Sequence, residues 1–235
     1  MMLEYHVYDV FTDRPFAGNP LAVVMGADAL STRQMQTIAR QFNLSETIFV
    51  MTPRDPAHRA RVRIFLPLAE IPFAGHPTIG CAGLGADQVG FDTHRPVVAH
   101  AGPAFIFVPL RDAQALADAR PAGAAFEALT ARVGKVYAYA PDGAGFRARM
   151  FAPGSGVPED PATGSATATL AAPLLAAGVL PEGETRLSLR QGVEMGRPSL
   201  LGLRITVRGG ALAQVCVSGR AVPVAQGRIR IPEDT

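Results

Sequence analysis

A short motif that occurs twice in related form constrains the fold of this chain most strongly. Residues 73–78 read Phe-Ala-Gly-His-Pro-Thr, residues 162–167 read Ala-Thr-Gly-Ser-Ala-Thr, and small or apolar residues follow each copy. This pattern is typical of a helix that is buried on all sides. The free backbone N–H groups and the positive dipole end at the start of such a helix favour a bound anion. The repeat therefore predicts two similar halves that face a common cleft and hold a small carboxylate-bearing molecule between their helix starts.

The composition excludes several classes of protein. With 48% hydrophobic and 18% charged residues, the 235-residue chain has the make-up of a compact protein with room for two domains. Its 22 basic and 20 acidic residues are spread without the basic stripe that nucleic-acid binding needs. No run approaches the roughly 20 apolar residues of a membrane span. The chain starts on Met-Met-Leu-Glu without a charged and apolar leader, which predicts a cytoplasmic protein.

The two cysteines, Cys81 and Cys216, are too few for a disulfide framework and lack metal-binding spacing. We expect both to be small buried hydrophobic residues, and we expect no metal site.

Strand-like and helix-like patterns alternate along the chain. Ser31 is placed to cap a helix that runs to about residue 41, and further helical patterns cover 112–119 and 125–132. Weak signals between 85 and 100 indicate a boundary between two parts. The predicted strands are 5–11, 21–25, 47–51, 61–65, 105–110, 135–140, 146–151, 186–189, 201–207, 211–217 and 228–231.

Three ionisable residues are candidates for catalysis. Glu46 lies between a predicted helix and strand among apolar neighbours, where a raised pKa suits a carboxyl group to give and take a proton. His76 lies at the start of the first buried helix, where its ring can donate to or accept from a ligand. Asp160 precedes the second buried helix, and it either caps that helix or takes part in catalysis. The predicted substrate-binding residues at the two helix starts are Gly75, Thr78, Gly164, Ser165 and Ala166.

Five segments of the sequence resemble the phenazine-biosynthesis PhzF-like proteins. In chain order they are Asp-Val-Phe at 9–11 with Gly-Asn-Pro at 18–20, Asn-Leu-Ser-Glu-Thr at 43–47, Pro-Phe-Ala-Gly-His-Pro-Thr at 72–78, Glu-Asp-Pro-Ala-Thr-Gly-Ser-Ala at 159–166, and Gln-Gly-Val-Glu-Met-Gly-Arg-Pro-Ser at 191–199. They follow the family order from residue 5 to about residue 231. Together these motifs are highly specific.

The resemblance implies an α+β fold like that of diaminopimelate epimerase. Each of two similar halves is then a curved, mostly antiparallel β-sheet wrapped round a central helix, with the C-terminal strand returning to the first half. We expect the N-terminal half to comprise residues 1–88 and 221–235 and the C-terminal half residues 89–220, with the active-site cleft between them.

The resemblance also implies an activity. In the family's isomerase, a glutamate at the position of Glu46 moves a proton on a cyclic dihydro-hydroxyanthranilate, assisted by groups that match His76, Asp160 and Ser165. No metal or organic cofactor takes part. The sequence is therefore expected to encode a cofactor-independent isomerase of a small cyclic or amino-acid-like carboxylate.

Two departures from the family pattern qualify these expectations. Only residues 81–104 fill an interval that is usually longer, so the first sheet is expected to be incomplete, its cleft more open, or its edge supplied by a partner chain. We therefore expect a homodimer whose interface involves the first half or residues 85–100. Leu66 stands where the family often has Thr, which predicts the loss of one polar contact.

Two other functions compete with this interpretation. Amino-acid racemases and epimerases of the same fold class use one Cys at each helix start, and Ala74 and Thr163 occupy those positions here, which excludes a two-thiol mechanism. Cys81 lies about two helical turns further along and cannot substitute. A non-catalytic small-acid-binding or regulatory protein could keep the cleft, but the joint presence of the three catalytic candidates favours an enzyme.

Overall fold

The computed structural model describes residues 2–55, 60–70, 88–121 and 133–233, together with Phe126 and Thr130. The described residues form an α+β fold of two β-sheets with few helices. The strands are β1 (Met2–Val10), β2 (Asn19–Val24), β3 (Glu46–Met51), β4 (Arg61–Phe65), β5 (Val97–His100), β6 (Ala104–Pro109), β7 (Val136–Asp142), β8 (Gly145–Ala152), β9 (Val157–Asp160), β10 (Gly183–Gln191), β11 (Ser199–Arg208), β12 (Ala211–Ser218) and β13 (Ala221–Arg230). The α-helices are α1 (Thr32–Phe42), α2 (Ala113–Asp118), α3 (Gly164–Thr169) and α4 (Ala171–Ala176).

The first sheet has the strand order β13-β1-β2-β3-β4. Strands β1 and β2 pair antiparallel as the predicted hairpin, and α1 connects β2 to β3, which pair in parallel. Helix α1 begins with a capping box in which the Ser31 hydroxyl accepts from the Gln34 backbone and the Gln34 side chain accepts from the Ser31 backbone. The C-terminal strand β13 returns to pair with β1, so both ends of the chain belong to this sheet.

The second sheet has the order β12-β11-β10-β8-β7-β6-β5, and β9 pairs with β8. Most neighbours are antiparallel, while β6 with β7 and β8 with β10 are parallel. Helices α3 and α4 pack against this sheet through β5, β11 and β12. Their buried residues Ala166, Leu170 and Leu174 belong to the same core as the inward side chains of the sheet.

The predicted secondary structure is confirmed over most of the described chain. One difference concerns the second buried helix, which is interrupted at Leu170 and so consists of α3 and α4. Pro173 has no backbone N–H to donate to the carbonyl of Thr169, which is the physical reason for the break. The prediction that Cys216 is buried is wrong, because Cys216 is half-buried and its Sγ lies 3.4 Å from an Arg204 guanidinium nitrogen.

Some expectations lie outside the described residues. The central helix of the first half, predicted after His76, is among them, as are Cys81 and most of the helix predicted at 125–132. Within the described part of the chain, no helix has the length and apolar character needed to cross a membrane.

Candidate active site

One cavity lies where the start of β3 in the first sheet meets the end of β9 and the start of α3 in the second half. It brings together three of the predicted site residues, Glu46, Asp160 and Ser165. The other described residues that line it are Ser45, Leu66, Pro103, Phe105, Lys135, Met150, Ala152, Ser155, Val157 and Thr163.

Asp160 is held in this cavity by a network of hydrogen bonds. Its side chain is only 5% exposed. Asn19 Nδ2 donates to one carboxyl oxygen over 2.9 Å, and the Thr163 hydroxyl donates to the other over 2.5 Å. Buried Gln191 donates to the Asp160 carbonyl oxygen and to the Thr163 hydroxyl, and its own carbonyl oxygen accepts from the Thr163 backbone N–H. Asn19 belongs to β2, Thr163 directly precedes α3, and Gln191 ends β10. Asp160 therefore has one defined orientation at the junction of the two sheets.

This network bears on the capping role, one of the two roles that the sequence left open for Asp160. The N-cap residue of α3 is Thr163, and no side chain caps the helix. The alternative that Asp160 caps the helix is therefore not borne out, and its part in catalysis stays a prediction. Its carboxyl group bonds to side chains and faces the cavity instead.

The two acidic side chains have raised pKa values for related reasons. Burial raises the pKa of Asp160 to about 7, and the charge of Glu46 adds to the effect, although hydrogen bonds from Thr163, Ser45 and Asn19 oppose it. Burial also raises the pKa of Glu46, while the ammonium group of Lys135 lowers it. Near neutral pH, Asp160 can therefore either hold or release its proton.

Lys135 is a site residue that the motifs did not reveal. It directly precedes β7 and is half-buried in the cavity wall, with its Nζ 5.6 Å from the centre of the Phe105 ring. No motif in the sequence includes Lys135. The signal that could have found it is compositional, because it is the only lysine in the chain.

The predicted substrate-binding residues divide into three groups. The exposed Ser165, at the second position of α3, lines the cavity. Gly164 and Ala166 are not among its described lining residues, and Ala166 packs into the core of the second half. A Cβ atom added at Gly164 would lie 3.2 Å from the Phe11 ring, so this glycine lets Phe11 pack closely against the helix start. Gly75, His76 and Thr78 lie outside the described residues.

Leu66 forms an apolar part of the cavity wall. Gln36 Nε2 donates to the carbonyl oxygen of Leu66 over 3.0 Å, and the Leu66 N–H donates to Ala69 over 2.8 Å. The polar contacts at this position are therefore made by the backbone and do not depend on the side chain.

A second polar cluster joins β1 and the turn that follows it to the segment between β10 and β11. Arg197 donates to a carboxyl oxygen of the buried Asp9 and to the carbonyl oxygens of Ala17 and Gly18. The other Asp9 oxygen accepts from the Phe16 backbone N–H over 2.6 Å. This cluster fixes the turn between β1 and β2 against the segment between β10 and β11, and so fixes the position of Asn19 beside Asp160.

The site also bears on the metal and racemase alternatives. Among the residues that the structure describes, no group of three or more His, Cys, Asp or Glu side chains is arranged to hold a metal ion. Thr163, which the sequence analysis assigns to one of the two thiol positions of a racemase, has a hydroxyl that donates to Asp160. The other position, Ala74, lies outside the described residues.

Comparisons with known proteins agree with this fold. The sequence profile of the phenazine biosynthesis-like protein family, PhzC-PhzF, matches residues 8–94 and 82–227. A trans-2,3-dihydro-3-hydroxyanthranilate isomerase of Pseudomonas chlororaphis is 36% identical over 280 positions, covering 97% of this chain and 99% of that protein. An uncharacterized isomerase of Mesorhizobium japonicum is 34% identical over 298 positions, with the same coverage of both chains.

A crystal structure of a Bacillus anthracis PhzF-family protein superimposes with a TM-score of 0.79 at 21% identity, covering 98% of this chain and all of that one. The chain therefore belongs to the PhzF-like family of phenazine biosynthesis-like proteins, and it is an isomerase.

The comparisons also bear on the length of the chain. Both alignments with the relatives are longer than the 235 residues present here, so the relatives contain positions without a counterpart in this chain. The two segments that match the family profile meet at residues 82–94, within the interval that the sequence marks as shortened.

Proposed function

We propose that this isomerase moves a proton on a small cyclic or amino-acid-like carboxylate without a cofactor, with Glu46 and Asp160 as its acid–base residues. The observation that carries the proposal is the meeting of these two carboxyl groups, one from each sheet, in a single cavity. Burial raises the pKa of both, that of Asp160 to about 7.

In the proposed reaction, ionised Glu46 removes a proton from a substrate carbon. The electron pair left behind is delocalised into the neighbouring π-system of the substrate. A proton is then returned to a different carbon, and the double bond shifts. If Glu46 returns the proton that it took, the enzyme is restored directly. If protonated Asp160 donates instead, exchange with solvent removes the proton from Glu46 and replaces the one on Asp160, so the isomerisation has no net gain or loss of protons. The raised pKa of Asp160 suits it to donate a proton near neutral pH.

The proposed substrate is an organic acid because a named relative acts on trans-2,3-dihydro-3-hydroxyanthranilate. The exposed hydroxyl of Ser165 supports this, since it lies in the cavity beside the two carboxyl groups and can bond to a polar substrate group. Roles for Gly75, His76 and Thr78 in binding or proton transfer, and for the backbone of Gly164 and Ala166, remain predictions. The domain boundaries and a cytoplasmic location likewise stay predictions.

Replacement of Glu46 tests the proposed base. Glu46→Gln keeps the shape and removes the exchangeable proton, so deuterium incorporation from D₂O into trans-2,3-dihydro-3-hydroxyanthranilate or its product should fall by about two to four orders of magnitude. The matched control is Glu184→Gln, which removes an acid from the exposed surface of β10. Incorporation at the parent rate in the Glu46 variant would refute the assignment of the base.

We also propose that the protein is a homodimer. Among the described residues β4 is an edge strand of the first sheet, and the apolar Val62 and Leu68 in and beside it are 49% and 58% exposed. An open edge with apolar neighbours favours pairing with a second chain. Light scattering should give the dimer mass for the parent and a monomer for Val62→Lys, because a charge on an edge strand opposes pairing.

Val179→Lys is the control for this experiment, since it adds the same charge at a 44% exposed valine after α4. It should leave the dimer intact. A parent protein that is monomeric and active would contradict the proposal.

A further inference from the structure

The chain contains a single lysine. Of its 22 basic residues, 21 are arginine, and Lys135 is the exception. The two side chains are not equivalent, because an ammonium group is a compact charge whose pKa responds to burial, whereas a guanidinium group stays ionised. The surface positive charges are thus supplied by arginine, while the one lysine lies in the cavity with Glu46 and Asp160.

The backbone around Lys135 places its side chain in the cavity. Gly134 has a φ of 67°, a conformation that favours glycine, and its N–H donates to Thr130 over 2.7 Å. The Lys135 carbonyl oxygen accepts from the Ile106 N–H over 3.0 Å, which ties this position to β6. The ammonium group then lies over the Phe105 ring.

The positive charge of Lys135 interacts electrostatically with the carboxyl groups of both Glu46 and Asp160. Among the described residues that line the cavity, the ionisable side chains are Glu46, Lys135 and Asp160. Burial lowers the pKa of Lys135, and both carboxylates raise it. Burial raises the pKa of Glu46, and the charge of Lys135 partly opposes that rise. The charge of Glu46 in turn raises the pKa of Asp160.

We propose that Lys135 is a positioning residue of the proton-transfer site, whose ammonium group holds Glu46 as the ionised base and leaves the proton of the pair on Asp160. This inference rests on the proposed function of the cavity. It explains how the two acids could differ in role although they line the same cavity. The positive charge of Lys135 favours the charged form of Glu46, and the negative charge of Glu46 then favours the neutral form of Asp160.

The first test is the pH profile of kcat/KM for deuterium incorporation. Lys135→Met should move the acid limb upward by about 1 pH unit, because an uncharged side chain no longer stabilises ionised Glu46. Lys135→Arg should restore the limb to the parent position, since it restores the charge. Arg208→Met, which removes an exposed charge at the end of β11, should match the parent. An acid limb that stays in place in Lys135→Met, with or without a change in KM, would overturn the proposal.

The second test needs neither substrate nor a lysine variant. Protein labelled with ¹³Cε-lysine gives a single lysine side-chain NMR signal, so Lys135 can be titrated directly. Glu46→Gln should lower its pKa by about 1 unit through loss of the carboxylate, and Glu184→Gln should not. Identical titrations in all three proteins would overturn the inference. If the parent incorporates no deuterium into any acid offered, the proposed function fails, and this titration still decides whether Lys135 and Glu46 interact.

Discussion

The raised pKa of Asp160 predicts a specific dependence of stability on pH. An aspartate in the unfolded chain has a pKa near 3.8, whereas burial raises that of Asp160 to about 7 in the folded protein. The folded state therefore holds this proton more tightly than the unfolded state. The resulting stabilisation is complete below the unfolded pKa and is lost as the pH rises through the folded pKa.

The size of the effect follows from the interval between the two pKa values. Between the two pKa values only the unfolded state has lost the proton, and each pH unit costs about 1.36 kcal/mol. The two units from about pH 5 to about pH 7 therefore cost about 3 kcal/mol. Above the folded pKa both states are ionised and the loss stops. Because the side chain is only 5% exposed, solvent screening reduces this figure little.

The substitution Asp160→Asn isolates the contribution, because asparagine keeps the size and does not titrate. Relative to the parent, the free energy of unfolding of the variant should rise by about 3 kcal/mol between about pH 5 and about pH 8. Urea unfolding at several pH values measures both curves. Asp118→Asn, at an exposed position that ends α2, should run parallel to the parent. If the Asp160 variant also runs parallel, the raised pKa of Asp160 is wrong.

Two further predictions concern stability. Ser31→Ala removes the capping box of α1 and should lower the free energy of unfolding by about 1 kcal/mol, which a lower Tm would show. An unchanged Tm would show that the cap contributes nothing to stability. Asp9→Ala leaves Arg197 without its carboxylate at the junction of the two sheets, so the free energy of unfolding in urea should fall by about 3 kcal/mol. A fall no larger than that caused by Asp118→Ala, at an exposed acid, would contradict this.

The comparison of sequence and structure separates local from distant interactions. The capping box of α1 joins Ser31 to a residue three positions away, and the hairpin of β1 and β2 joins neighbouring segments. Such contacts depend on short-range geometry and on side-chain type, so the sequence predicts them. The motif repeat and the family resemblance likewise predicted that Glu46 and Asp160 share a cleft, and the structure brings both into one cavity.

The long-range contacts of the cavity residues depend on the tertiary structure. Asn19 and Asp160 are 141 positions apart, and their hydrogen bond exists only because the two sheets pack together. The same holds for Asp9 and Arg197, which are 188 positions apart. The local sequence alone is equally compatible with Asp160 as a helix cap. In the folded protein its carboxyl group accepts from the Thr163 hydroxyl and lines the cavity.

The amino-acid sequence by itself determined most of the strands, the capped helix α1 and the segments that carry the carboxyl groups, because each depends on residues within a few positions of one another. It did not reveal β5 or β9. Only the tertiary structure decided that Lys135 faces the same cavity. Its placement requires β6 and β7 to pair and the two sheets to meet near Glu46, and no periodicity or motif around residue 135 records these contacts. Charge interactions in a half-buried cavity depend on distances between side chains from separate strands, which the folded chain alone sets.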